Sequence, residues 1–377
     1  MKGNDPLIEV LTRNHDLIVG ARVLILGEIN SPQLMQLLAP TQSAVVLCDH
    51  YGAACAMAAV MGKRLGTSSF ETACYKHIKV IFAAASDERI LEEIGPLDRV
   101  VVFVSKTKSL NQHTLFALQR KFQHEGTPAQ ITLIGSNDGG GKSADKLVSA
   151  VADVYKHDSA RKCTVFNGTF RHYDENQGVG LTECKRLNAV TVGALTLEQE
   201  PGLFSQGELD GGSALLLKAL SADLAGPESI SGPILDLGCG SGVLGLTLAA
   251  QGYGPVLCTD ISATALHATE QNAQRHGLKV HTLACDMLPS PQLLTQLAQP
   301  KFQLIVTNPP FHQGIARSLK ETQAMIAAAP HSLTTDGALY LVGNTCLNYG
   351  ADLKAAFAQV KELIATPKFT VYKATLR

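Results

Sequence analysis

The chain has 377 residues, 45% hydrophobic and 17% charged, with a mean hydropathy of +0.09, which supplies two cored domains and contains no membrane-spanning run. Its 32 lysines and arginines against 33 acids, a net charge of −1, exclude a strongly basic nucleic-acid binder, so any contact with RNA has to come from local patches. Nine cysteines, an odd number with no C-x-x-C pair, exclude a disulfide framework and structural zinc; Met1 to Asp16 lacks an export signal, so a cytoplasmic protein is expected.

Four short apolar runs mark the first half. Val23 to Gly27 ends in glycine, Ala44 to Leu47 leads through Cys48 to Asp49, Arg99 to Val104 leads to Ser105-Lys106-Thr107-Lys108, and Ile131 to Ile134 ends in Gly135. Each reads as a buried strand of an α/β sheet. Gly135-Ser-Asn-Asp-Gly-Gly-Gly141-Lys142-Ser143 approaches a phosphate-binding loop, but that motif needs a glycine where the chain has Ser136. A flexible surface turn is expected instead. Asp174 to Gly180 is polar and turn-like, which places a domain boundary after residue 175 and gives units 1–175 and 176–377. Ala189 to Leu197 alternates as a strand does and is expected to open the second domain as a hairpin.

The second half carries the chemistry. Ile234-Leu235-Asp236-Leu237-Gly238-Cys239-Gly240-Ser241-Gly242 reads as a strand running into a glycine turn, followed by helical character from Val243 to Ala250. Gly238, Gly240 and Gly242 let the backbone turn tightly against a ligand, and the helix behind them presents unpaired amides, which suits nucleotides and nucleosides. Gly240, Gly242 and Gly245 also satisfy G-x-G-x-x-G, which keeps a nicotinamide-dependent oxidoreductase open. Asp236 points the other way: a carboxylate before the glycines suits an amine, such as that of S-adenosylmethionine, and repels a pyrophosphate. Val256 to Thr259 delivers Asp260 where an acid accepting from ribose hydroxyls belongs, unless it caps a helix starting near Ser262. Asp286, after the strand-like His281 to Cys285, either accepts from the adenine amino group or begins the loop to Pro291.

Phe302 to Thr307 then ends in Asn308-Pro309-Pro310-Phe311. This is ordinary loop punctuation, or it is a site at a strand end: an Asn carbonyl followed by prolines leaves acceptors with few competing donors, which suits an exocyclic amino group, and Phe311 offers a face for a planar base. Nearby His312 could accept a proton, though a lone histidine there is more often a packing residue.

Together with Leu339 to Gly343, these runs repeat the order of the first half at offsets of 211 (Gly27 to Gly238, Asp49 to Asp260) and 208 (Gly135 to Gly343). A duplicated domain is expected. Gly27-Glu28-Ile29-Asn30 lacks the glycine turn and Ser105 to Lys108 replaces Asn-Pro-Pro-Phe, so the first copy should neither bind cofactor nor catalyse. Lys106 and Lys108 at its strand end are candidates for RNA phosphate contacts, or are simply solvated lysines.

Asp236-x-Gly238-x-Gly240-x-Gly242, Asp260 and Asn308 to Phe311 resemble the class I amino-group methyltransferases over residues 202–377. Pro201-Gly-Leu-Phe204-Ser205-Gln-Gly-Glu-Leu209-Asp210-Gly-Gly-Ser213, with Asn308 to Gly314, is similar to the ribosomal RNA guanine-N2 methyltransferases, the 16S enzymes most closely. Lys368 to Ala374 resembles that family's final strand, and Asp158 to Cys163 its interdomain segment. The resemblance implies two tandem Rossmann-like domains, the first degenerate; S-adenosylmethionine as cofactor and no metal; Asn308, Pro309, Pro310 and Phe311 in catalysis; and Asp236, Gly238, Gly240, Gly242, Asp260, Asp286 and Asn308 about the cofactor. It further implies a monomer acting on guanine N2 of 16S ribosomal RNA in a 30S subunit, with no membrane partner. The 23S guanine-N2 enzymes share several elements and are the alternative. A noncatalytic RNA-binding or assembly factor is more remote.

Overall fold

A computed structural model describes residues 5–29, 31–172, 188–204, 207–296, 301–309 and 315–377. The chain forms two compact units, Met1–Leu187 and Asn188–Arg377. The boundary expected after residue 175 falls within 173–187, outside the described residues.

In the first unit the strands are β1 (Arg22–Gly27), β2 (Ser43–Cys48), β3 (Glu71–Tyr75), β4 (Ile78–Phe82), β5 (Arg99–Phe103), a short ribbon of β6 (Gln123–His124) and β7 (Thr127–Pro128), β8 (Gln130–Ser136), β9 (Ala152–Ala160) and β10 (Cys163–Phe170). Eight of them form one sheet in the order β3-β4-β2-β1-β5-β8-β10-β9, parallel from β4 to β8. The four runs of Val, Ile and Leu that mark this half in the sequence are its central parallel strands, buried on both faces.

The second unit opens with the expected hairpin, β11 (Asn188–Val192) and β12 (Leu195–Gln199), and continues with β13 (Ile234–Leu237), β14 (Val256–Asp260), β15 (Val280–Ala284), β16 (Phe302–Thr307), β17 (Leu333–Asn344), β18 (Gln359–Ala365) and β19 (Phe369–Thr375). Its main sheet runs β15-β14-β13-β16-β17-β19-β18. Apart from the extra edge strand β3, this is the order of the first unit, position for position. Both units are therefore Rossmann-like α/β sheets closed by an antiparallel pair, and the repeat seen in the sequence is a repeat of topology.

Two segments depart from expectation. Asp158 to Cys163 is no interdomain segment: it is the turn of the β9–β10 hairpin, with Arg161 and Lys162 at φ of 52° and 58°, as a two-residue hairpin turn requires. Gly135 to Ser143 is a packed turn rather than a loose one. Gly141 lies so close to Gly135 that a Cβ on it would come within 2.1 Å of the Gly135 carbonyl oxygen. In the first unit, the place of the cofactor turn is taken by Gly27, pressed against the Phe103 carbonyl, with the Glu28 amide donating to that oxygen at 3.0 Å and Ile29 buried.

Candidate active site

The parallel strands β13 and β16 lie side by side in the register Asp236↔Val306 and Leu237↔Thr307. Gly238 and Asn308 therefore leave neighbouring strands at the same level, and the glycine turn and Asn308 emerge together at the carboxyl edge of the sheet, where open α/β sheets bind ligands.

Gly238, Gly240 and Gly242 have φ of 75°, 57° and 85°, left-handed values that disfavour any other residue. A Cβ on Gly238 or Gly240 would meet nothing within 4 Å, so these two backbone faces border open space, whereas one on Gly242 would strike Leu246. The turn is pinned from behind. Gly238 and Cys239 amides donate to the Thr259 carbonyl at 2.9 Å each, and the Gly240 amide donates to Asp260 Oδ2 at 3.0 Å. The other Asp260 oxygen accepts from the Ser262 amide at 3.0 Å. The cap of helix Ala263–Arg275 is Ser262, whose hydroxyl accepts from Ala265 at 3.2 Å, so Asp260 braces the turn and is not the helix cap.

Asp236 is sealed beneath the turn at 0% exposure. Its Oδ2 accepts from the Gly245 amide at 2.7 Å, and its Oδ1 has no partner among the described residues. Burial, and secondarily the nearby charge of Asp260, push the carboxyl up to about 7. Gly245 is where the dinucleotide fingerprint would end, and its amide is already committed to a carboxylate buried under the helix N-terminus. That leaves a poor seat for a pyrophosphate.

Two braces escaped the sequence reading. On helix Ala263–Arg275, Thr269 Oγ1 donates to the Gly240 carbonyl at 3.0 Å, and Asn272 Nδ2 donates to the carbonyls of Ser241 at 3.0 Å and Glu198 at 2.9 Å. Asn272 Oδ1 accepts from the Glu198 amide at 2.8 Å, which ties hairpin strand β12 to the turn. The only available signal was two polar residues at positions a helix would bury, and the spacing does not say what they touch.

Asn308 is held by residues far away in sequence. Its Nδ2 donates to Asp210 Oδ2 at 2.8 Å and Ser213 Oγ at 2.9 Å, while its Oδ1 is buried with no partner among the described residues. Asp210 is also the N-cap of helix Gly211–Asp223, accepting from the Ser213 amide at 2.9 Å. Pro309 is buried directly after it. Pro310, Phe311 and His312 lie outside the described residues. Asp286 is exposed two residues past the end of β15, which follows Asp260↔Ala284 in the register, and Met287 beside it has a φ of 60°. Lys106 and Lys108 belong to the first unit, exposed after β5. A cavity of about 630 Å³ in that unit is lined by Arg22, Arg99 and Gln130, the first residues of their strands, and so lies at the edge opposite the lysines.

The chain matches the Methyltransferase small domain N-terminal family over residues 9–177 and the Methyltransferase small domain family over residues 194–373. It is 35% identical over 280 residues to the ribosomal RNA small subunit methyltransferase C of Actinobacillus succinogenes, covering 73% of this chain and 78% of that one. To the protein of the same name from Aeromonas hydrophila it is 30% identical over 374 residues, 97% and 96% of the two chains. The chain belongs to the ribosomal RNA small subunit methyltransferase C family. A solved T. thermophilus member, a 16S rRNA N2 guanine methyltransferase in complex with AdoMet and guanosine, shares the fold at a TM-score of 0.72 and 22% identity, over 99% of this chain and 92% of that one.

The second unit fits the cofactor expected of a methyltransferase C protein. Two bare glycine faces border open space, Asp260 braces the turn, and the buried Asp236 offers an oxygen with no described partner. Among the described residues no helix is long and apolar enough to cross a membrane, and no group of three or more His, Cys, Asp or Glu is placed to hold a metal ion.

Proposed function

We propose that the chain transfers the methyl group of S-adenosylmethionine to the exocyclic N2 amine of a guanine in 16S ribosomal RNA, as a cytoplasmic monomer acting on a 30S subunit. The observation that carries this reading is Asn308 Oδ1, a buried acceptor with no described partner, beside an open glycine turn. A guanine amine is conjugated and a weak nucleophile. Asn308 Oδ1 and the Pro309 carbonyl accept its two N–H hydrogens, favour a pyramidal nitrogen and aim the lone pair, an interaction stronger in the transition state than before it. The cofactor supplies an electrophilic methyl. The chain supplies the rest by position: Gly238 and Gly240 make room for the adenosyl group, Gly242 turns the backbone into the helix behind them, Asp260 accepts from ribose hydroxyls, Asp286 from the adenine amine, and Asp236 stiffens the turn and favours a cation. Pro310 and Phe311 complete the base pocket, with Phe311 as a stacking face for the extruded guanine.

The first unit docks the RNA. Lys106 and Lys108, exposed just after its strand β5, contact backbone phosphates. Incubation with labelled S-adenosylmethionine and separately purified 30S and 50S subunits, followed by mapping of the modified nucleoside, tests the reading. N2-methylguanine in 16S RNA is expected. Label in 23S RNA alone, or on another base, overturns it.

A further inference from the structure

We propose that Asp210 is a positioning residue for methyl transfer: it determines which end of the Asn308 amide faces the target amine. The inference rests on the reading of Asn308 given above. The two ends of an Asn amide are alike in shape and opposite in chemistry, and a half-turn about the last side-chain bond exchanges them. An ionised carboxylate has no hydrogen to give. Asp210 Oδ2, 2.8 Å from the amide, is therefore met by Nδ2, and Ser213 Oγ at 2.9 Å takes its second hydrogen. Oδ1 is left buried with no partner among the described residues. Reversed, the amide would set its oxygen against Asp210 and offer the guanine amine a donor in place of an acceptor.

The charge on Asp210 acts on the reaction as well as on the rotamer. A hydrogen bond from Nδ2 to an anion polarises the amide and raises the electron density on Oδ1. As the new N–C bond forms and the C–S bond breaks, leaving the electron pair on sulfur, the attacking nitrogen becomes positive. It does so against an acceptor backed by a fixed negative charge, and its proton passes to water afterwards. The frame around this contact is tightly spaced. Asp210 is anchored by the Ser213 amide, and Gly212 makes room for the pair: a Cβ there would lie 2.9 Å from Asp210 Oδ2 and 3.4 Å from both ends of the Asn308 amide. Asp210-Gly-Gly-Ser213 is thus a cradle for Asn308 as well as a helix start.

Capping and positioning separate in two variants. Asp210→Ser keeps a short capping oxygen for the Ser213 amide but withdraws the acceptor from Asn308; Asp210→Asn keeps an acceptor of the same reach. On 30S subunits, Asp210→Ser is expected to retain the parental Tm and S-adenosylmethionine Kd while kcat falls about tenfold or more and the KM for subunits changes little. Asp210→Asn, which restores the acceptor without the charge, recovers part of the rate. Parental kcat in Asp210→Ser overturns the inference, as does a loss of Tm or cofactor affinity in proportion to the loss of rate, or an Asp210→Asn enzyme no better than Asp210→Ser. Asn308→Ala is assayed alongside: if it methylates at the parental rate, the reading of Asn308 itself is wrong, whereas an inactive Asn308→Ala beside a fully active Asp210→Ser sinks the positioning role alone.

Discussion

Thr307 Oγ1 donates to the carbonyl of Leu237 at 2.9 Å, across the last paired residues of two adjacent parallel strands. One residue further on, one strand becomes the glycine turn and the other becomes Asn308. This hydrogen bond ties the two strand ends together just before they lead into the glycine turn and Asn308. Thr307→Val keeps the shape and removes the donor, leaving a buried carbonyl without it, at a cost of about 1 kcal/mol. The variant is expected to bind S-adenosylmethionine nearly as the parent does and to lose rate through misplacement of Asn308. An unchanged kcat, measured at saturating cofactor and subunits, would show that the tie has no part in the geometry.

Asn308→Ala removes the buried acceptor without touching the glycine turn. Cofactor affinity by isothermal titration should stay within about threefold of the parent, and single-turnover methyl transfer should fall roughly 10²- to 10³-fold, the scale on which removing one aimed transition-state group acts. Retained transfer would mean that the amine is held elsewhere.

Asp260 braces the Gly240 and Ser262 amides, and in the proposed function it accepts from the ribose hydroxyls as well. Asp260→Asn keeps one accepting oxygen and should weaken S-adenosylmethionine binding less than Asp260→Ala, for which a loss of about tenfold or more is expected. Equal affinity in all three proteins would remove Asp260 from the cofactor site.

The Asp236 carboxyl is shifted up to about 7 from an ordinary 3.8, chiefly by burial. Below about pH 4 it is neutral in folded and unfolded chains alike, and its burial carries no charge penalty. Between there and about 7 the unfolded chain ionises while the folded one does not, so this group lowers stability as pH rises. Above 7 the penalty is complete, on the order of 4 kcal/mol at most. In the protein without cofactor, the Tm of Asp236→Asn minus that of the parent should therefore climb from pH 5 to pH 8. A flat difference across that range would show that the acid is ionised throughout.

Lys106→Glu combined with Lys108→Glu is expected to weaken binding of 16S RNA at low salt and to flatten its salt dependence, with the S-adenosylmethionine Kd unchanged. Filter binding at two or more salt concentrations measures both quantities, and identical curves for variant and parent would remove the pair from the RNA surface.

The parts legible in the sequence are those whose physics is local. Continuous Val, Ile and Leu runs announced the central parallel strands because such strands are buried on both faces, and alternating glycines announced the turn because only glycine is at ease at those φ values. Of the strands that went unread, β3, β9 and β18 are antiparallel edge strands whose exposed faces carry polar residues, so their apolar runs are broken; β4 and β10 are largely buried, but Lys79 interrupts the five residues of β4 and Thr164, Asn167, Gly168 and Thr169 interrupt β10, and β6 and β7 are two residues each, too short to show a pattern. Asp210 was visible only as part of a family-like string. As a residue before two glycines and a serine it reads as a helix cap, which it also is.

By itself, then, the chain specified two similar sheets, one glycine turn with acids at its flanks, and an Asn-Pro-Pro step at a strand end, because each depends on neighbours in the chain. The tertiary structure decided what faces what. Register set Gly238 and Asn308 at one level, helix packing brought Thr269 and Asn272 under the turn, and a carboxylate 98 residues upstream of Asn308 took one end of its amide and left the other free. Hydrogen bonds between residues distant in the chain depend on how whole elements pack, and no local pattern of residue types encodes that arrangement.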